Sequence, residues 1–315
     1  MKVFCPLSGS DRVILLEKIS VDILAKMYQK KIGDNILSEF EGVEEIGFYH
    51  CLESDLKFFY PAVTASEQFY EKLQNTDWYY LDEKEEYDYA SSYIKASDTV
   101  LEIGCGKGAF ADKVATQAYT GLEFSHKAQD LAIQKNIKVL NESIEQHSIN
   151  HAEQYSVVCC FQVLEHVANI NSFVEASIKC LKPGGLLIYS VPSADSFISL
   201  IKNFILNMPP HHISCWSDRS LQYVSNIFGL KVINIHHEQL AKIHRQSYLT
   251  QIILKALENT IGYQSNNLLI DRSWLYKIMC VASNIGSKWL EKGLVDDRTL
   301  PNGHSVTCIY QKLEI

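Results

Sequence analysis

The middle of the chain alternates short apolar runs with amphipathic segments. The apolar runs predict strands at residues 99–103, 119–123, 137–140, 155–161 and 186–191. The amphipathic segments between them predict helices at residues 108–117, 126–135 and 170–180. A regular strand–helix alternation is typical of the α/β class. We therefore expect a doubly wound, mostly parallel sheet with helices on both faces.

The pattern changes on either side of this alternating part. The following segments are expected after Ser190-Val-Pro192: an amphipathic helix Asp195–Asn207, a helix Ser217–Phe228 with Ser217 as its N-cap, a sixth strand Lys231–His236, and a last strand Ser305–Lys312. Four regions follow: an N-terminal region at 1–96, a core at 97–239, a mostly helical insertion at 240–303 and the last core strand at 304–315.

Composition narrows the class of protein. The 315 residues are 47% hydrophobic and 21% charged, which is typical of a soluble globular chain with a sizeable core. The net charge of −8 argues against nucleic-acid or anionic-membrane partners, because phosphate contacts need clustered Lys and Arg. The N-terminus lacks a signal-peptide pattern, and no uncharged stretch reaches the roughly 18 residues that span a bilayer. Nine cysteines, an odd number, indicate reduced thiols and a cytoplasmic location.

The stretch Thr99–Ala111 carries the clearest chemical signal. A strand ends in three alternating glycines, Gly104, Gly106 and Gly108, and a helical pattern follows. Glycines allow positive φ and close approach to a ligand, and a helix N-terminus offers free N–H groups. With Ala109 as the last small residue, the run also satisfies the dinucleotide pattern G-x-G-x-x-G/A. The glycines alone leave the cofactor open.

Further motifs decide between cofactors by resemblance. Glu102 precedes the glycines, Glu123 ends the next apolar run, and Phe161–Val167 and Leu181–Gly185 read FQVLEHV and LKPGG. Together these motifs resemble the class I S-adenosylmethionine-dependent methyltransferases over residues 97–237. The resemblance implies a seven-stranded Rossmann-like sheet with an antiparallel last strand. It also implies S-adenosylmethionine as the cofactor and S-adenosylhomocysteine as its product.

The expected cofactor contacts lie at the carboxyl ends of the strands. Glu123 stands nineteen residues after Gly104, close to the ~20 expected for an acidic residue that accepts bonds from ribose hydroxyls. The resemblance gives Glu102 a role in orienting the methionine part, and it places adenine beside Ser143 and Ile144. The full set of expected cofactor-binding residues is Glu102, Gly104, Cys105, Gly106, Gly108, Glu123, Phe124, Ser143, Ile144, Gln162 and Tyr80.

Three histidines are the catalytic candidates. His211 and His212 follow two prolines in the loop where the resemblance puts the acceptor pocket, and His166 lies in the L-E-H-V segment. Methylation of a hydroxyl needs alignment and loss of a proton, which a histidine with a pKa near neutrality can accept. The alternative for each is a structural histidine that bonds to backbone carbonyls.

The N-terminal region offers two weaker signals. Relatives of this branch carry C-x-x-C pairs here, but Ser8 and Ser54 replace the second cysteine after Cys5 and Cys51. A hydroxyl is a poor zinc ligand, so we expect no metal: these positions are a zinc ribbon that keeps its shape without zinc, or two unrelated core cysteines. The aromatic-rich span that follows, including Tyr79, Tyr80 and Tyr87, is core packing or a lid over the cofactor.

The sequence thus predicts an S-adenosylmethionine-dependent methyltransferase. Its acceptor is expected to be small or carbohydrate-like, methylated at oxygen, with a phenolic or quinone-type acceptor as the nearest alternative. Two other classes stay open at this point. One is a nicotinamide-dependent oxidoreductase, which the glycine pattern permits, and the other is a non-catalytic scaffold that retains the fold. The helical insertion covers the acceptor site or forms a homodimer surface.

Overall fold

The computed structural model describes residues 2–74, 84–265, 267–293 and 300–314. The strands among them are β1 Val13–Ser20, β2 Glu45–Cys51, β3 Lys57–Tyr60, β4 Val100–Ile103, β5 Tyr119–Leu122, β6 Lys138–Leu140, β7 Tyr155–Phe161, β8 Leu181–Pro192, β9 Ser214–Cys215, β10 Leu230–Gln239 and β11 Asn302–Lys312. The helices are α1 Val21–Ile32, α2 Glu67–Gln74, α3 Glu85–Ser91, α4 His126–Gln134, α5 Ile144–Asn150, α6 Ile170–Cys180, α7 Asp218–Phe228, α8 Arg245–Ile261 and α9 Trp274–Leu290.

Seven strands form the larger sheet in the order β10-β11-β8-β7-β4-β5-β6. β11 runs antiparallel to both of its neighbours, whereas β4 to β8 pair in parallel. The central strands are buried on both faces, which is why they read as continuous apolar runs rather than as alternating ones. The predicted α/β class and the doubly wound, mostly parallel seven-stranded sheet are confirmed.

The helix predicted at residues 108–117 is wrong. Only a 3₁₀ turn, Ala111–Lys113, lies there. Three glycines at positive φ hold the preceding chain out of the right-handed helical region. After the turn, the Thr116 hydroxyl donates to the Asp98 carbonyl and accepts from the Ala118 N–H, which ties this segment to the start of β4. These side-chain bonds replace the helical ones that the apolar spacing suggested.

The helix predicted at Asp195–Asn207 is also wrong. Two 3₁₀ turns, Phe197–Leu200 and Ile205–Asn207, take its place. Between them Asn203 adopts a φ of 58°, which no right-handed helix accommodates. Its side-chain amide donates to the Asp271 carbonyl and its side-chain oxygen accepts from the Asp271 N–H. A partner 68 residues away therefore sets this conformation, and local spacing could not reveal it.

The N-terminal region forms a second, four-stranded sheet in the order β1-β2-β3-β9. Its last strand, β9, comes from the core segment that contains the predicted acceptor loop. Tyr28 of α1 reaches the same loop, because its hydroxyl lies 2.7 Å from the Ile205 carbonyl and 3.0 Å from that of Met208. The N-terminal region thus packs against the part of the core that contains the predicted acceptor loop.

The two Cys/Ser pairs of the N-terminal region lie together. Cys5 Sγ is 3.3 Å from Ser54 Oγ, and Ser8 Oγ is 3.6 Å from Cys51 Sγ. Cys5, Cys51 and Ser54 are buried. The four positions therefore form one cluster in which each hydroxyl lies against a thiol of the other loop. The two cysteines thus belong to one structural feature.

The insertion consists mainly of α8 and α9, which pack through Leu254, Tyr276 and Met279. The opposite face of α9 is exposed and apolar; it consists of Trp274, Ile278, Val281, Ile285 and Trp289. Within the described ranges, no helix combines the length and apolar character needed to cross a bilayer. At its N-terminal end, α8 packs Tyr248 against Phe197.

Candidate functional site

A cavity of about 1070 Å³ opens at the carboxyl ends of β4, β5 and β7. Its lining includes the glycine turn, Glu123, His166, His211 and His212. Ligand crevices of open α/β sheets lie at this end of the strands. Since single-ligand pockets range over roughly 300–1,000 Å³, the volume suits a cofactor together with a second small molecule.

The glycine turn brings bare backbone to the cavity. Gly104, Gly106 and Gly108 have φ values of 71°, 52° and 76°, in the left-handed region that favours glycine. The Gly104 N–H donates to the Leu122 carbonyl at 2.7 Å, which fixes the turn to the end of β5. A Cβ atom on Gly104 would lie 2.6 Å from Val163 Cγ2. Gly104 and Gly106 line the cavity, whereas Gly108 packs toward Ile137 and Ala132.

Glu123 is held by backbone N–H groups at the end of β5. Its Oε2 accepts from the Gly106 N–H at 2.9 Å, and its Oε1 accepts from the Ser125 N–H at 2.8 Å. Each carboxylate oxygen retains further acceptor capacity. The side chain lines the cavity, so it can brace the glycine turn and accept bonds from a ligand at once.

Glu102 lies away from the cavity wall. Its carboxyl group is buried and accepts a hydrogen bond from the Tyr119 hydroxyl. Burial raises the pKa of Glu102 to about 8, against the lowering effect of the Tyr119 bond. Glu102 is thus not among the residues that line the cavity, and its role in orienting the methionine part, directly or through water, stays a prediction.

Of the other expected cofactor residues, Cys105, Phe124, Ser143 and Ile144 line the cavity. Gln162 lines it too, but its side-chain amide donates to Glu86 Oε2 at 2.9 Å and to Ser305 Oγ at 3.1 Å. Tyr79 and Tyr80 lie outside the described residues. Tyr87 contacts the rings of Phe110 and Phe161 in the core and also borders the cavity.

Glu86 is a cavity residue that the sequence did not reveal. Glu86 lies in the first turn of α3 and is buried. Its Oε2 accepts hydrogen bonds from the Ser190 hydroxyl and from the Gln162 side-chain amide. Lys84 lies 3.5 Å from its Oε1. A buried carboxylate on a short helix could have been suspected only from its place just before β4, which is a weak signal.

The three candidate histidines lie together in the cavity lining. Their ring centroids are 4.8 Å apart for His166 and His211, 4.9 Å for His166 and His212, and 4.4 Å for His211 and His212. Tyr70 of α2 joins them, with its hydroxyl 3.1 Å from His166 Nδ1. Glu165 belongs to the same L-E-H-V motif. It lies beside the histidines, with its Oε1 3.8 Å from His212 Nε2.

The expectation of a histidine pKa near neutrality is wrong for this cluster. Burial lowers the pKa of His166 to about 4 and that of His211 to about 3, and it also lowers the pKa of His212 well below its ordinary value. Removal from water penalises the charged imidazolium, and the neighbouring rings add to the effect for His211 and His212. All three rings are therefore neutral at pH 7.

We expect Glu102 to make stability fall as pH rises. Its folded pKa of about 8 exceeds the reference value of 4.5, so the folded state holds a proton that the unfolded state releases between those values. Glu102→Gln should remove this slope, which reaches up to about 1.4 kcal/mol per pH unit in the free energy of unfolding. Urea unfolding of both proteins at pH 5 to 8 measures the difference.

The matched control is Glu41→Gln, because Glu41 is exposed. This variant should keep the wild-type slope. Parallel stability curves for wild type and Glu102→Gln would show that the buried carboxyl group does not hold its proton.

Residues 74–235, just over half of the chain, match the family described as a methyltransferase domain. The chain belongs to this family. Family and sheet together confirm the predicted class I S-adenosylmethionine-dependent methyltransferase domain and its cofactor class.

Individual relatives are similar over part of their length. The ubiquinone biosynthesis O-methyltransferase of Salmonella arizonae is 37% identical over 155 residues, which cover 42% of this chain and 64% of that protein. Its counterpart in Salmonella enteritidis is 37% identical over 99 residues, 29% of this chain and 41% of that one. The methyltransferase domain thus spans less than two thirds of the length of these curated relatives.

Among solved structures, a SAM-dependent methyltransferase from Archaeoglobus fulgidus is similar with a TM-score of 0.47 and 16% identity. The match covers 71% of this chain and 90% of that one. A likeness at this level has no bearing on substrate or activity.

Proposed function

We propose that the protein transfers the methyl group of S-adenosylmethionine to an oxygen atom of a small acceptor. The observation that carries the proposal is the shared cavity. The glycine turn, Glu123 and the histidine cluster all line it. In the transfer, the bond between sulfur and methyl breaks as the bond between methyl and the acceptor oxygen forms, S-adenosylhomocysteine is released, and the hydroxyl proton passes to water. The reaction therefore needs both molecules aligned in one enclosed space.

The acceptor side favours an aromatic ring. Apolar side chains line the cavity next to the histidines: Phe197, Ile198, Ile201, Phe204 and Leu206. Such a wall binds a phenolic or quinone-type molecule by burial of apolar surface, with the histidines as polar anchors. The curated relatives carry the name of an O-methyltransferase of ubiquinone biosynthesis, which supports the same acceptor class. We therefore propose a phenolic acceptor in preference to the carbohydrate-like one.

His166, His211 and His212 are proposed to bind and orient the acceptor oxygen. His211 and His212 are buried and His166 is partly buried, and all three neutral rings line the same cavity as the glycine turn. Because the rings are neutral, they add no positive charge beside the acceptor hydroxyl. The sulfonium of the cofactor then supplies the positive charge that attracts the acceptor oxygen.

Cytoplasmic location and a homodimer stay predictions that accompany this proposal.

The first experiment is calorimetric titration of the purified protein with S-adenosylhomocysteine and, separately, with NAD. We expect binding of the former alone, since the cavity and the family both suit that nucleoside. Turnover is then measured with labelled S-adenosylmethionine and a panel of catechols, hydroquinones and nucleotide sugars.

Each outcome separates the candidate functions. Binding of NAD would favour the oxidoreductase, and binding of S-adenosylhomocysteine without turnover on any acceptor would favour the scaffold. Methylation of sugars in preference to phenols would overturn the acceptor class while leaving the reaction type intact.

A further inference from the structure

Three imidazoles and one carboxylate converge on a single region of the cavity wall. Ligating atoms of His166, His211 and His212 all lie within 4.8 Å of one another. Glu165 Oε1 stands 3.8 Å from Nε2 of His166 and 3.8 Å from Nε2 of His212. The four side chains come from two segments of chain, so this convergence is a product of the tertiary fold.

Glu165 supplies an independent indication of a missing partner. The residue is 1% exposed, and neither carboxylate oxygen has a hydrogen-bond partner among the described residues. A buried carboxyl group without a partner is costly, and natural proteins compensate such groups with a proton, a cation or a metal. Its orientation toward two imidazoles identifies the point where the compensating group would sit.

The histidine rings are oriented as they are in metal sites. Nδ1 of His166 lies 2.5 Å from the His211 carbonyl, and Nδ1 of His211 lies 2.8 Å from the Leu206 carbonyl. Nδ1 of His212 lies 3.1 Å from the side-chain oxygen of Asn207. An oxygen acceptor at each position makes Nδ1 the protonated nitrogen. The lone pair then resides on Nε2, the arrangement that second-shell acceptors impose on metal-binding histidines.

We propose that His166, His211, His212 and Glu165 bind one divalent transition metal ion, with zinc as the best fit. Three imidazole nitrogens and a carboxylate oxygen form a donor set that zinc accepts in tetrahedral geometry, at about 2.0–2.2 Å from each atom. Magnesium and calcium prefer oxygen ligands and suit the cluster poorly.

The site faces the cavity, where a zinc ion would act as a Lewis acid. An acceptor hydroxyl that reaches it would release its proton to water more readily, because the cation stabilises the oxygen anion. This role rests on the proposed methyl transfer, whereas the binding site itself does not. Metal content and S-adenosylhomocysteine affinity can therefore be measured separately.

The second cluster of possible ligands, Glu142, His147 and His151, provides a contrast. His147 already has both ring nitrogens engaged, with Glu142 Oε1 at 2.6 Å and the Tyr155 hydroxyl at 2.9 Å. The ring of His151 stacks on that of His147, and its Nδ1 lies 3.0 Å from the His147 carbonyl. This cluster is internally satisfied, so His151→Gln is a suitable control variant.

The test is calorimetric titration of chelator-treated protein with zinc chloride, followed by the visible spectrum after addition of cobalt(II). We expect one equivalent of zinc and the intense absorption of tetrahedral cobalt with nitrogen and oxygen ligands. Glu165→Gln and His212→Ala should each weaken zinc binding by about 10- to 100-fold. His151→Gln and Cys51→Ser should bind zinc as the wild type does.

Binding of S-adenosylhomocysteine serves as the folding control for each variant. If His212→Ala fails this control, Glu165→Gln, which preserves shape, carries the comparison. Absence of zinc binding in the wild type, or unchanged binding in a folded Glu165→Gln variant, would overturn the site. Zinc binding without S-adenosylhomocysteine binding would instead overturn the proposed function and leave the site intact.

Discussion

Gly104→Ala is expected to lower the affinity for S-adenosylhomocysteine by about a hundredfold, roughly 2.7 kcal/mol. Two physical effects combine. Alanine at a φ of 71° costs about 1–2 kcal/mol, because Cβ crowds the following carbonyl oxygen in the left-handed region. The new Cβ would also lie 2.6 Å from Val163 Cγ2, so the turn or Val163 must shift. Either movement displaces the backbone that faces the cofactor.

Gly9→Ala is the matched control for strain. Gly9 has a φ of 69°, and a Cβ there would meet nothing within 4 Å. It should therefore lose a similar amount of stability while its affinity for S-adenosylhomocysteine stays unchanged. Val163→Ala in the Gly104→Ala background should restore part of the affinity, since it removes the clashing methyl groups. Equal calorimetric affinity in Gly104→Ala and Gly9→Ala would contradict the account.

The core strands were predictable because a strand buried on both faces gives a continuous apolar run in the sequence. β7 and α6 match the predicted ranges 155–161 and 170–180, and other core strands differ at their ends by a residue or a few. Strands buried on both faces must be apolar along their length, and α6 needs an apolar side toward the sheet. Such constraints act within a single segment, so a single segment reveals them.

The two wrongly predicted helices show that local hydrophobic periodicity does not always determine the backbone conformation. Asn203 bonds to Asp271, and Thr116 bonds to Asp98, so partners outside the local segment select the backbone conformation. Within Asp195–Asn207, Phe197 and Ile205 are buried as the apolar spacing indicated, whereas Leu200 is exposed. Periodicity thus identified part of the buried set but not the backbone that presents it.

The candidate site divides in the same way. The glycine turn and Glu123 follow from spacing, because each stands at the end of an apolar run. The histidine cluster joins residues 45 positions apart, and Tyr70 stands 96 positions from His166. Histidine identity and the prolines beside His211 drew attention to residues that the fold brings together, although their role stays a prediction. The depressed pKa values and the unpartnered Glu165 emerge only when the chain is folded, since both depend on burial.

Glu123→Ala is expected to weaken S-adenosylhomocysteine binding by about 3 kcal/mol, more than a hundredfold. The substitution leaves the N–H groups of Gly106 and Ser125 without their acceptor, which loosens the glycine turn. It also removes the carboxylate that would accept bonds from the ribose hydroxyls. Glu123→Gln keeps one acceptor oxygen and should fall between Glu123→Ala and the wild type. Calorimetric titration of the three proteins measures the series.

A modified ligand separates the two roles of Glu123. An S-adenosylhomocysteine analogue without the ribose 2′- and 3′-hydroxyls should bind the wild type weakly, because it cannot reach the carboxylate acceptors. If the carboxylate holds those hydroxyls, Glu123→Ala should bind the analogue and the parent ligand almost equally. If Glu123 only braces the glycine turn, removal of the hydroxyls should cost the same in both proteins. The two energies add in that case, since the substitution and the ligand change do not share a partner.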